Sequence, residues 1–126
     1  MTKIDIINET VAFYSADVKR RSLNEKEDCS YNGKNGTHCA VGRCLLPIYH
    51  DLGDKLPSND WDFEGLFTAN KCKDHNEMLQ EQYRGHDLFF WNSLQSLHDT
   101  KNYWDAIGLT VAGEQYLQQL LDLNKN

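Results

Sequence analysis

The chain has no run of about 20 apolar residues such as a membrane span requires, only two prolines and two methionines in 126 residues, no internal repeat and no low-complexity stretch. Its first residues, Met1 to Thr10, mix Lys3, Asp5, Asn8 and Glu9 among the apolar side chains, so the uninterrupted apolar core of a secretory signal is missing too. These absences predict a protein that stays in the cytoplasm of the cell that makes it, without a membrane. In that reducing compartment the four cysteines, Cys29, Cys39, Cys44 and Cys72, do not form a disulfide framework. No linker divides the chain, and its length suits one domain over residues 1–126.

Cationic character is scarce in the second half. Residues 1–50 carry seven Lys/Arg against six Asp/Glu, and residues 51–126 carry six against thirteen, so the halves sum to +1 and −7. An acidic half repels a phosphate backbone, which disfavours duplex DNA as a partner. A compact anion fits better in the first half, near Lys19, Arg20, Arg21, Lys34 and Arg43, although a solvated surface patch explains that cluster as well.

What is present in quantity is large aromatic area, with three Trp, six Tyr and five Phe, enough to fill a core. Ile4, Ile7, Val11, Tyr14 and Val18 recur at steps of three and four, predicting an opening helix that Thr2 and Asp5 cap. Two Asn-Gly pairs between Tyr31 and Thr37 predict tight turns. Thr37 then caps a helix through Cys39, Ala40, Val41, Cys44 and Leu45 that ends at Pro47, with a further turn over Ile48 to Leu52. Ser58 is a cap for a short helix carrying Trp61, Leu66 and Phe67. Asp74 caps another through Met78, Leu79 and Tyr83, stopped at Gly85, and Asp87 caps one from Leu88 to about His98. Tyr103 and Trp104 plug a loop over residues 99–109. A last helix after Thr110 buries Ala112, Tyr116, Leu117, Leu120 and Leu123. The predicted fold is mainly α: a compact single domain of five or six helices, with at most one short β-hairpin near Tyr31.

Three kinds of chemistry are written into the central segment. Cys39, at the start of its predicted helix with His38 beside it and Arg43 one turn on, is where a thiol is most easily ionised, and His86 or His98 is the candidate base for a cysteine nucleophile. Lys34, Thr37, His38, Cys39 and Arg43 together form a candidate anion-binding approach to a helix start. Cys72 and His75 are a Cys-x-x-His pair, the weak candidate for a metal, but no standard zinc spacing links them to Cys29, Cys39 and Cys44. Packing competes with all three, because small residues such as Cys39, Ala40 and Cys44 let a helix approach its neighbours, and Gly42 inside that helix implies a close contact. The pairs His50 Asp51, His86 Asp87 and His98 Asp99 are read as caps and helix-end charges rather than dyads, since neighbours on a helix point about 100° apart. No cofactor is implied.

The run Cys39 Ala40 Val41 Gly42 Arg43 Cys44, preceded by Cys29 and Tyr31, and the later Tyr83 Arg84 Gly85 His86, Phe90 Trp91, Leu94 Gln95, Leu97 His98 Asp99 and Gly108 Leu109 Thr110 resemble a group of small uncharacterised proteins of tailed bacteriophages. The Cys-x-x-Gly step and Trp91 Asn92 are more distantly similar to a bacterial family of unknown function. The resemblance implies a phage accessory product and carries no catalytic residue. The expected function is a small binding protein, acting against a host defence or regulatory pathway by sequestering a small anionic ligand, such as a signal nucleotide, or a host protein. The alternatives are a Cys39-dependent hydrolase or transferase, and a structural domain with no small-molecule site.

Overall fold

The computed structural model describes residues 1–21, 40–49 and 74–125. The predicted hairpin near Tyr31, the Thr37 cap, the Ser58 helix and the His50 Asp51 pair lie outside the described residues. Within them the fold is mainly helical: three α-helices, α1 (Lys3–Ala16), α2 (Leu88–Asp99) and α3 (Val111–Leu123), are joined by six short 3-10 turns. No described helix is long and apolar enough to cross a membrane.

Each α-helix starts where its cap predicts. Thr2 Oγ1 accepts from Asp5 N while an Asp5 carboxylate oxygen accepts from Thr2 N, a complete capping box. Asp87 Oδ1 accepts from Phe90 N at 2.7 Å, and Thr110 Oγ1 from Gly113 N at 3.1 Å. These bonds satisfy amide donors that a helix start otherwise leaves bare, each worth about 1 kcal/mol. Around them, one core gathers Ile6, Ile7 and Tyr14 of α1, Trp91, Leu94 and Leu97 of α2 and Leu120 of α3, together with Val41, Leu45, Leu79 and Trp104.

The middle segments depart from the predicted helices. Ala40 to Leu45 is a turn followed by one 3-10 turn, Gly42–Cys44, and the stretch expected as one helix from Asp74 to Tyr83 is two turns, His75–Met78 and Glu81–Tyr83. The reason is a competing pairing between distant residues. Leu46 N donates to Met78 O at 2.8 Å and Gln80 N to Cys44 O at 2.9 Å, forming an antiparallel bridge at Leu45 and Leu79. A carbonyl and an amide engaged across that bridge are unavailable to a helical ladder, so both segments break there. Asp74 still caps its turn through Asn76 N, and Gly85 still ends the run, at a φ of 100° that a side chain rarely adopts.

The buried faces of two helices are rotated from their predicted stripes. On α1, Ile6 and Thr10 are buried with Ile7 and Tyr14, while Ile4 and Val11 are only half-buried. On α3, Gly113 and Leu120 are buried, Tyr116, Leu117 and Leu121 are half-buried, and Ala112 and Leu123 are exposed. Gly113 explains the second rotation. Its missing side chain admits the backbone carbonyl of Tyr103, with a Leu109 methyl also within 2.8 Å of where a β-carbon would sit. The turn Lys101–Tyr103 therefore lies on α3, fixed by Thr110 N donating to Tyr103 O and by stacking of Tyr103 on Tyr116. Trp104 then plugs the core as predicted, its indole N–H donating to Leu97 O at 2.8 Å.

An alanine in a helix ordinarily gains about 1 kcal/mol over glycine. At Gly113 the sign reverses, because backbone cannot retreat from the new methyl: Gly113→Ala is expected to lower the unfolding free energy by about 1 to 3 kcal/mol in a urea titration.

Candidate functional site

Arg43 is the sequence-predicted site residue that the structure places most fully. It sits in the Gly42–Cys44 turn, half-buried at 13% side-chain exposure, facing α1. Its Nη1 donates to Glu9 Oε1 at 2.7 Å and to the Tyr83 hydroxyl at 3.3 Å, and its Nη2 donates to Thr10 Oγ1 at 3.0 Å. Tyr83 in turn donates its hydroxyl proton to the same Glu9 oxygen at 2.6 Å. The guanidinium also lies over the rings of Phe13 and Tyr83, at 5.4 and 5.7 Å from their centroids. Gln80 completes the surround, donating to the carbonyl oxygens of Arg43 and Leu45. Nε of Arg43 is buried with no hydrogen-bond partner among the described residues.

Burial and pairing act against each other here. Desolvation pushes the Glu9 carboxyl up, yet the bonds from Tyr83 and Arg43 outweigh it and hold Glu9 below its usual range. Arg43 is likewise penalised by burial, and the Cys44, Glu9 and Tyr83 groups beside it keep it more firmly protonated than an ordinary arginine. Cys44, fully buried, has its thiol pushed up to about 12 by desolvation, against the pull of the Arg43 cation. Tyr83 is pushed up to about 12 by burial and by its bond to Glu9. Cys44 is therefore a neutral packing residue and not a nucleophile.

The remaining candidates are scattered. His86 is half-buried against the Phe90 ring and donates from Nε2 to Met1 O at 2.8 Å. His75 donates from Nε2 to His86 O at 2.7 Å. His98 is 0% exposed, edge-on to Tyr14, with Nδ1 donating to Asp99 Oδ1 at 2.7 Å. That bond corrects the expectation that sequence neighbours cannot pair: at the last helical residue, the short Asp99 side chain reaches back to the ring nitrogen nearest the His98 backbone. It also corrects the helix-end charge expectation. Burial lowers the His98 pKa despite Asp99, so the imidazole is neutral. Asp99 is further held by Gln95, whose amide oxygen accepts from Val41 N. Lys34, Thr37, His38, Cys39 and Cys72 lie outside the described residues. The described residues that follow Cys39 form a turn and the 3-10 turns Gly42–Cys44 and Pro47–Tyr49 rather than the expected α-helix. No three metal-binding side chains converge among the described residues.

Sequence reasoning missed Glu9, Thr10, Gln80 and Tyr83 as Arg43's partners, which lie 33 to 40 residues away from it. Nothing local signals such a pairing. It missed equally the exposed Ile107, for which the Asp105-to-Gly108 turn signature was available. The chain matches no family model, no curated protein and no solved structure.

The titrating groups set a two-sided pH profile. His98 is held neutral, with its pKa lowered from 6.5, so its contribution is whole above pH 6.5 and is lost as pH falls below it; Glu9, lowered from 4.5, adds a further loss below 4.5. Cys44 and Tyr83 are raised from 9.0 and 10.0, so their contributions are whole below those values and are lost as pH climbs toward about 12. Stability measured by urea titration is expected to fall on both sides of a plateau between pH 6.5 and 9.0, and Cys44→Ala to flatten the alkaline fall relative to its own neutral value.

Proposed function

We propose that this chain is a non-enzymatic accessory binding protein of the phage type, and that its ligand is a protein of the bacterial host. The observation that carries the reading is the display of a large apolar side chain on a rigid mount: Ile107 is 89% exposed, at the tip of a turn pinned by three hydrogen bonds. An apolar side chain held in place before binding loses little freedom when a partner covers it. Phe89, near the start of α2, is similarly exposed.

Sequestration of a small anion is the second reading, and it rests on Lys34, Thr37, His38, Cys39 and Arg43. Arg43 favours the protein reading, because both Nη atoms of its guanidinium already donate within the fold, to Glu9, Tyr83 and Thr10. A phosphate approaching Nη1 would have to displace the Glu9 carboxylate. Cys39-dependent catalysis has less support, as the buried His98 and the tethered His86 offer it no described base.

The test is competitive retention by the purified full chain. Host proteins captured from lysate are purified singly and titrated by calorimetry, and native mass spectrometry is run against a nucleotide mixture. The expected result is one host protein bound at defined stoichiometry and no nucleotide retained. Retention of a nucleotide, with no purified protein binding, would overturn the reading.

A further inference from the structure

An open groove of about 700 Å³ runs beside Ile107, walled by Val11 and Ser15 of α1, by Asp105, Gly108 and Leu109, and by Glu114, Leu117 and Gln118 of α3. Its apolar floor comes from Val11, Leu109 and Leu117, all half-buried against the core. Among the described residues, the charged ones lining it are two carboxylates, Asp105 and Glu114, both exposed.

The rim is preorganised. Asp105 Oδ1 accepts from Ile107 N at 2.8 Å and from Gly108 N at 3.0 Å, and Asp105 N donates to Gly108 O at 2.8 Å. Gly108 has a φ of 150°, which side chains rarely adopt, and the bridge between Trp104 and Leu109 closes the base of the turn. Little conformational freedom remains for Ile107's backbone to lose on binding, which lowers the entropic cost of docking there.

We propose that this groove docks a short segment of a partner protein in which an apolar side chain is flanked by lysine or arginine. The apolar residue packs on Ile107 and the floor, and the cations face Asp105 and Glu114. Charge complementarity selects this occupant. A second copy of the chain would bring the same two carboxylates to the same walls, at a net charge of −6 per copy. A second open groove, beside Lys3, His86 and Lys125, does not offer an opposite surface of equal strength, since Lys3 pairs with Asp87 and Lys125 with Asp122.

The inference rests on the protein-binding reading, and the experiment separates the two. The full chain is used to select from a displayed library of random peptides about twelve residues long, and enriched peptides are titrated by fluorescence anisotropy against the wild type, Ile107→Asp and Glu114→Lys. Both variants alter exposed positions, and a thermal melt checks their folding. The expected result is an enriched apolar residue beside Lys or Arg, with binding weakened about tenfold or more by Ile107→Asp and also weakened by Glu114→Lys. Peptides that bind Ile107→Asp as tightly as the wild type would overturn the groove and leave protein binding elsewhere standing. No enriched peptide, together with no host protein retained, would overturn both. An Ile107-dependent dimer in sedimentation velocity would overturn the proposed occupant in favour of a second copy.

Discussion

The guanidinium of Arg43 ties together three stretches of chain that lie far apart in sequence. Glu9 and Thr10 come from the first helix, Arg43 from the central turn and Tyr83 from the segment leading into the second helix. Each member satisfies another: Glu9 accepts from both Arg43 and Tyr83, and Thr10, which donates to Ile6 O, accepts from Arg43. A planar donor set on an always-charged group suits such a three-way junction, and lysine, a single compact charge, would not reproduce it. Removing one partner would leave a half-buried charge without compensation, which is costlier than never having buried it.

The rest of the central packing follows from that junction. It draws the Ile6 and Thr10 side of the first helix inward, which accounts for the rotated face. Next to it the central turn lies beside the 78–80 stretch, where the Leu45–Leu79 bridge replaces helical hydrogen bonds on both strands of chain. Cys44 is sealed beneath, its thiol neutral. The conspicuous Cys-Ala-Val-Gly-Arg-Cys run is thus, over its described residues from Ala40, a packing device: small residues at the crossing and one long cation as a strut.

The sequence disclosed what is local. Thr2 with Asp5, Asp87 and Thr110 were readable as caps because a cap bonds to an amide two or three residues away, and the three α-helices follow directly. Tyr103 and Trp104 were readable as plugs because bulky aromatics in a polar loop have nowhere else to go. What escaped was non-local. The periodic patterns at Ala40 to Leu45 and Asp74 to Tyr83 fit a helix as well as they fit two turns, and only the bridge between them decides. The face of the last helix depends on a carbonyl received at Gly113, and the role of Arg43 depends on Glu9, 34 residues earlier. Within the candidate site, the identity of Arg43 as a residue of consequence was legible, but its task was not, since a cation that holds a carboxylate and one that waits for a phosphate look alike in one dimension.

That distinction is directly measurable in the folded protein. In nitrogen-15 NMR of the full chain, the Arg43 guanidinium resonances report whether its donors are engaged by Glu9, Thr10 and Tyr83 or open to a ligand. If the guanidinium is the strut of the fold, Arg43 gives resolved side-chain signals that stay in place when inorganic phosphate is titrated in and that collapse or shift in Glu9→Gln. A saturable movement of those signals with phosphate, and indifference to Glu9→Gln, would contradict the account.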